Sequence, residues 1–248
     1  EPTQKMREIW PDISSAVNSI DRVFEPENTS LETVRRQFRL VATDTGYVSF
    51  ISPVTGLICR QAPGIEIEIC QPGSDSEIVD GLRHGSFDFA INPNPPKAFD
   101  LIYHKLRELK YVLLVRAGHP LTKQNIGENF DIKKLLDFVQ IIYSYNSEGF
   151  YRPWLDLKNM GMKTLVCPYF QASTTYLLSS DAVQWIPETA AQAINRNNEF
   201  RIITLPKKYT VCFTPKLFWS VKTDKDPVNQ WLRSLIIDAA ANLELSTK

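Results

Sequence analysis

The stretch FRLVATDTGYVSFISPVTGLICRQAPGIEIEI, Phe38 to Ile69, decides the fold. Its apolar spacing changes from a strand to a helix and back to an alternating strand, and LRHGSFDFAI (Leu82 to Ile91) repeats the pattern. The predicted elements are strand 37–43, helix about 47–61, strand 65–71, helix 75–84 and strand 87–91. Pro53 is expected near the start of the first helix, where proline is tolerated. Strands that alternate with helices predict βαβ units and a parallel sheet.

A second alternating series follows two extended runs at 101–106 and 111–117. Its predicted elements are helix 132–137, strand 138–143, helix 148–159, strand 163–170, helix 174–180, strand 182–186, helix 188–196 and strand 200–205. A β run at 211–221 and an amphipathic helix from Pro227 to about Leu243 close the chain. The sequence therefore predicts an α/β protein of two Rossmann-like lobes. Two crossover strands, near Leu113–Arg116 and Leu205–Cys212, would join them.

The predicted boundaries are 37–113 with 206–248 for lobe I and 114–205 for lobe II, after a terminal helix and linker at 1–36. Open α/β sheets bind ligands at the carboxyl ends of their strands. The expected ligand site is thus a cleft between the lobes.

Composition argues against nucleic-acid binding by this chain. Lys plus Arg and Asp plus Glu are both 28, so the net charge is zero, whereas nucleic-acid-binding domains carry a basic excess. Four separated cysteines, Cys59, Cys70, Cys167 and Cys212, stand among apolar neighbours and are expected to be buried and free. Free thiols favour the cytoplasm, and no apolar run has the length of a membrane span.

Polar residues follow several predicted strands where a helix is about to begin. Hydroxyl and amide side chains there can cap the helix or bind a ligand, and both interpretations stay open. Free N–H groups at helix starts favour an anionic ligand. The candidate ligand-binding residues lie at these helix starts and at neighbouring strand ends, and they include one aromatic residue. They are Asp44, Thr45, Gly46, Gln71, Asn92, Pro93, Tyr143, Ser144, Tyr145, Asn146, Ser147, Ala172, Ser173, Thr174 and Trp185. For Asn92 and Pro93 the alternative is a rigid loop, and for Trp185 it is core packing.

Catalytic and cofactor motifs are missing. His84, His104 and His119 lie in separate segments without metal-ligand spacing, and solvated histidines are expected at 84 and 119. The sequence contains no GxSxG, Walker or GxGxxG motif. Neither an enzyme nor a cofactor is therefore expected.

Three phrases carry a family resemblance. They are Ala62-Pro63-Gly64 with the strand after it, the Leu82…Gly85…Asp88-Phe89-Ala90-Ile91 phrase, and Arg116 to Leu121 (RAGHPL). In this order they resemble the effector-binding domain of LysR-type transcriptional regulators. The segment SDAVQWIP (Ser180 to Pro187) is closer to the branch with the NodD- and LeuO-like regulators.

The resemblance implies a fold like that of type 2 periplasmic binding proteins, a small-molecule effector, and a homodimer or tetramer. The dimer would pack helix 47–61 of one copy against helix 148–159 of the other. The DNA-binding helix-turn-helix of the family is missing here, so DNA would be bound only by a longer parent protein. The alternative function is a solute-binding protein of a transport system, which shares the fold but would be a secreted monomer.

Overall fold

A computed structural model of the chain describes residues 3, 5–6, 9–15, 30–94, 96–143, 152–170 and 172–242. The chain divides into two compact units, and it passes between them twice. Unit 1 contains Glu1–Arg107 and Pro215–Lys248, and unit 2 contains Glu108–Thr214. In the terminal segment at 1–36, where a helix and a linker are predicted, the described residues 5–6 and 9–15 are helical.

Strands and helices alternate through the first part of unit 1 and through most of unit 2. The first elements are β1 (Arg36–Val41), α1 (Asp44–Gly46, Tyr47–Ile51 and Ser52–Gln61 without a break), β2 (Ile65–Cys70), α2 (Asp75–His84), β3 (Phe89–Asn92), β4 (Leu101–Lys105) and β5 (Leu109–Arg116). The later elements are β6 (Gln140–Tyr143), α3 (Arg152–Asn159), β7 (Thr164–Cys167), α4 (Thr174–Leu178), β8 (Val183–Pro187), α5 (Glu188–Ile194), β9 (Phe200–Ile203), β10 (Cys212–Phe213), β11 (Lys216–Ser220) and α6 (Pro227–Asn242). The α/β class is confirmed. The order of elements follows the prediction, except that residues 132–137 form a 3₁₀ helix and the run 211–221 is divided into β10 and β11.

The sheet of unit 1 has the order β2-β1-β3-β11-β4. β1 pairs in parallel with β2 and β3, whereas the returning β11 is antiparallel to β3 and β4. On the face that α2 covers, Val41, Ala90 and Phe218 pack against Ile78 and Leu82. The apolar residues of α2 recur every three to four positions, which is why one side of the helix is buried.

Helix α1 contains a π turn, Tyr47–Ile51, directly before Pro53. Pro53 is the second residue of the regular α-helical segment Ser52–Gln61, which confirms the expectation that it lies near the start of a helix. Proline has no N–H and its ring clashes with the preceding turn of a regular α-helix. A wider π turn is a known way to absorb such a disruption, and here it lets the helix continue through Pro53.

Helix α2 has both of its ends encoded in the sequence. The Ser74 hydroxyl accepts from the Glu77 N–H at 3.3 Å, and the Glu77 carboxylate accepts from the Ser74 N–H at 2.6 Å. These reciprocal hydrogen bonds form a capping box. Gly85 ends the helix at φ 74°, a left-handed conformation that glycine adopts without strain.

The sheet of unit 2 has the order β10-β5-β8-β6-β7, and β9 also pairs with β5. The predicted crossover segments lie next to the two points where the chain passes between the units. β5, which contains Leu113–Arg116, begins one residue after the chain enters unit 2, and β10, at the end of Leu205–Cys212, stops one residue before the chain leaves it. These two strands also pair with each other in antiparallel register.

Two expectations about single side chains are wrong. His119 is completely buried, whereas a solvated ring was expected. Its Nδ1 accepts from the Leu121 N–H at 3.1 Å, so Nε2 carries the proton and donates to the Asp181 carbonyl at 3.0 Å. The expected burial of the thiols fails too, because Cys59 and Cys212 are exposed and Cys70 and Cys167 are only half-buried.

Candidate functional site

Polar residues converge at one edge of the unit 1 sheet. Because β1, β2 and β3 are parallel, their carboxyl ends lie at this edge, and α1 begins just beyond β1. The antiparallel β11 starts at the same edge, where its first residue, Lys216, is paired with Asn92. We call this group, from Thr43 to Gly46 with Asn92, Pro93 and Lys216, the strand-end cluster.

The start of α1 is held by its own side chains. The Thr43 hydroxyl accepts from the Gly46 N–H at 3.1 Å and lies 3.1 Å from the Thr45 hydroxyl. The Asp44 carboxylate accepts from the Thr45 N–H at 2.9 Å, and Thr45 is only 8% exposed. Two amides that were expected to be free for an anion therefore already have acceptors. Thr43 itself, the capping residue, was not among the predicted site residues.

Gly46 fits a tight space between the capping threonine and the neighbouring strands. A Cβ added there would lie 3.3 Å from the Thr43 hydroxyl and 3.5 Å from the Ala42 Cβ. A larger side chain would push the cap apart, so the close approach of the chain at this point depends on glycine.

Asn92 and Pro93 form the second half of the cluster. The Asn92 side chain is 8% exposed, and its carbonyl oxygen accepts from the Asn94 N–H at 3.0 Å. This bond closes a turn of the type expected from asparagine, which agrees with the rigid-loop alternative. The Pro93 carbonyl accepts from the Lys216 ammonium at 3.0 Å. Gln71 follows β2 and is exposed.

Lys216 belongs to the cluster but was not among the predicted site residues. The sequence-based prediction put it inside one β run at 211–221, whereas the structure divides that run into β10 and β11. The signal that could have found it is Pro215, since proline is confined to strand ends and edges. Lys216 supplies a positive charge at an edge where Asp44 supplies a negative one.

The candidate residues of unit 2 are only partly brought together. Tyr143 ends β6, and residues 144–147 lie outside the described residues. Ala172 is exposed and Thr174 begins α4. Ser173 is 4% exposed and donates its hydroxyl to the Phe170 carbonyl at 2.7 Å, so it does not cap the helix.

Trp185 belongs to the core of unit 2. The indole is 1% exposed, and its N–H donates to the Gln140 side-chain oxygen at 2.9 Å. The Gln140 amide in turn donates to the Leu135 carbonyl at 2.8 Å. This placement supports the core-packing alternative, because a fully enclosed indole offers no surface to a ligand.

A hollow of about 720 Å³ opens on the surface of unit 1, at the β4–β11 side of the sheet. Its walls include Asn94, Lys97, Phe99, Tyr103, Lys216 and Phe218. Its size is typical of small-molecule sites. No sequence pattern pointed to it, because its walls come from a loop and two strands that are far apart along the chain.

A metal site finds no support in the described parts of the chain. No group of three His, Cys, Asp or Glu side chains there could hold a metal ion. No helix in those parts is long and apolar enough to cross a membrane.

Comparison with known proteins places most of the chain in one family. Residues 32–241 match the model described as "LysR substrate binding domain". The chain is 26% identical to the HTH-type transcriptional activator NagR of Ralstonia sp over 207 residues, which cover 82% of this chain and 66% of NagR. It is 26% identical over 218 residues to nodulation protein D of Rhizobium leguminosarum bv. trifolii, covering 86% of this chain and 66% of that protein. The chain thus spans just under two thirds of the length of these two relatives.

Solved structures show the same fold. The regulatory domain of MexT, a transcriptional activator in Pseudomonas aeruginosa, superposes with a TM-score of 0.67 at 21% identity, covering 82% of this chain and 99% of that one. The probable transcriptional regulator PA0477 from the same organism superposes with a TM-score of 0.71 at 18% identity, covering 95% of this chain and 78% of that one. At these identities the likeness concerns the fold alone.

Proposed function

Because the chain belongs to the LysR substrate-binding domain family, we propose that it is the effector-binding part of a transcriptional regulator. The family match over residues 32–241 carries this proposal, and relatives named as transcriptional activators support it. The transport alternative finds no support, since neither the family description nor these relatives are transport proteins. These relatives are named as transcriptional activators or nodulation proteins, and neither they nor the family description indicate an enzyme.

The effector is proposed to contact the strand-end cluster of unit 1. Its groups are a pair of hydroxyls at Thr43 and Thr45, an amide at Asn92, a carboxylate at Asp44 and an ammonium at Lys216. An anionic effector would be recognised by Lys216, since the Thr45 and Gly46 amides already have acceptors. The contacts predicted for 143–147 and 172–174 stay predictions.

In this proposal the domain works as a cytoplasmic homodimer or tetramer and acts on DNA only through another part of the full-length regulator. Self-association would use α1 and the helix that contains α3, as the family resemblance implies. Leu57 supports a contact on α1, because this leucine is 37% exposed on the outward side of the helix. An effector changes such an assembly only if it binds its alternative arrangements with different affinity.

Thermal shift measurements with a panel of small organic acids and their neutral analogues test the effector site. A ligand that binds the folded state raises the unfolding midpoint, by an amount equivalent to about 2.7 kcal/mol at a hundred times its Kd. Thr45→Ala is expected to remove most of this shift. Thr55→Ala is the matched control, because Thr55 is an exposed threonine on the same helix. A full shift in Thr45→Ala would contradict the proposed site, and a monomer in light scattering would contradict the proposed assembly.

A further inference from the structure

The hollow beside β4 and β11 is bordered by lysine side chains whose mutual repulsion does not stabilise the fold. Antiparallel pairing places Lys216 directly opposite Lys105, so the two side chains point to the same face of the sheet. Like charges directly opposite each other in a sheet are destabilising. Lys97, an exposed lysine on the bordering loop, lines the hollow together with Lys216, whereas Lys105 lies outside its walls.

Acidic side chains do not balance these lysines within the hollow. Among its described lining residues there is no Asp or Glu. The nearest carboxylate along the loop is Asp100, which is engaged by Arg83 at 2.6 Å. Lys216 is held by a backbone carbonyl, which is a neutral partner. The hollow therefore keeps an unbalanced positive charge.

Aromatic rings form the other part of the surface. Tyr103 is 58% exposed, and the Lys216 ammonium lies 5.9 Å from the centre of its ring. Phe218 stands opposite Tyr103 in the strand pairing, but its ring is fully buried, so the exposed aromatic surface comes from Tyr103 and Phe99. Phe99 is 98% exposed at the rim, an unfavourable state for a phenyl ring in water. A bound planar group would cover these apolar surfaces.

We propose that this hollow is a second binding site of unit 1, selective for a small aromatic anion such as an aromatic carboxylate. The ring would lie against Tyr103 and Phe99, where offset or edge contacts between rings are favourable. The carboxylate would accept charge-assisted hydrogen bonds from Lys97 and Lys216. The lysines distinguish the acid from its neutral amide.

The site differs from the strand-end cluster, and among the residues that the structure describes only Lys216 belongs to both. Its test therefore uses Lys97 and Tyr103, which are exposed and take no part in the cluster. The probe is 4-fluorobenzoate, with 4-fluorobenzamide as a neutral control of the same shape. Binding is followed by the broadening of the fluorine NMR signal on titration with the whole chain, and circular dichroism verifies that each variant is folded.

The benzoate is expected to bind more tightly than the benzamide, and the double variant Lys97→Gln/Tyr103→Ser is expected to weaken benzoate binding about tenfold or more. Thr45→Ala is expected to leave it unchanged. Equal binding of the acid and the amide, undiminished binding by the double variant, or no binding at tens of millimolar would each overturn the proposal. Loss of binding in Thr45→Ala alone would assign the probe to the strand-end cluster, which would refute the second site and leave the proposed function standing.

Discussion

Arg36→Met is expected to destabilise unit 1 strongly, because Arg36 lies between two carboxylates. Its guanidinium donates to Asp226 at 2.6 Å and to Asp88 at 3.2 Å. The side chains are 19% exposed for Arg36, 16% for Asp88 and 7% for Asp226. The three residues connect the start of β1, the start of β3 and the start of α6. Methionine keeps most of the apolar stem and removes the guanidinium, with its charge, its hydrogen-bond donors and its contact with the Phe38 ring.

The magnitude follows from the burial of the carboxylates that would lose their partner. Removing one member of a buried ion pair costs about 3–5 kcal/mol. The residual exposure of all three side chains reduces this to about 2–4 kcal/mol, because water reaches part of the network. The matched control is Arg39→Met on the same strand. Its ion pair with Glu68 has side chains 48% and 46% exposed, so its loss is expected to cost less than about 1 kcal/mol.

The cost is also expected to depend on pH. Burial raises the pKa of the Asp88 carboxyl, and the Arg39 N–H and the Arg36 guanidinium oppose that rise. A carboxyl whose pKa is higher in the folded state favours folding below its unfolded value, and this contribution disappears as the pH rises through the folded pKa. Without Arg36 the folded pKa rises further, so the penalty of Arg36→Met grows from about pH 5 to about pH 7.5.

Urea unfolding at both pH values, followed by circular dichroism, measures these differences. A cost of Arg36→Met no larger than that of Arg39→Met at the higher pH would refute the role given to the buried carboxylates. An equal penalty at the lower pH would refute the dependence on Asp88. Adding Asp88→Asn to Arg36→Met is expected to restore part of the lost stability, because it removes one of the two unpaired charges.

Two further predictions concern single hydrogen bonds. Burial lowers the pKa of His119 below its usual value. Protonation would destroy the acceptor that holds the Leu121 N–H. The contribution of neutral His119 to the stability of unit 2 is therefore complete above about pH 6.5 and is lost as the pH falls through the lowered pKa. Melting curves at about pH 7.5 and about pH 5.5 measure this loss, and His119→Asn should flatten the dependence. Ser74→Ala is expected to destabilise α2 by about 0.5–2 kcal/mol in urea unfolding because it removes the capping box, and an unchanged midpoint would contradict this.

Much of the sequence-based prediction depended on interactions between residues close together in the chain. The boundaries of α2 follow from Ser74, Glu77 and Gly85, whose capping interactions lie within one turn of the ends of the helix. The strand-end position of Asn92 likewise follows from the pattern of βαβ units. The sequence left Trp185 open between a ligand site and the core and was wrong about His119, because the burial of both depends on partners such as Gln140 and Asp181 that are distant along the chain.

The sequence by itself determined the α/β class, the alternation of strands and helices, and the motifs that place the chain in its family. These features depend on residue spacing over a few turns, which the chain carries in any conformation. Only the tertiary structure brought Lys216 to the edge beside Asn92, set Lys105 opposite it, and opened the hollow with Tyr103. Those arrangements depend on the register between β3, β4 and β11, and pairing between strands so distant in sequence is decided by the packing of the whole unit.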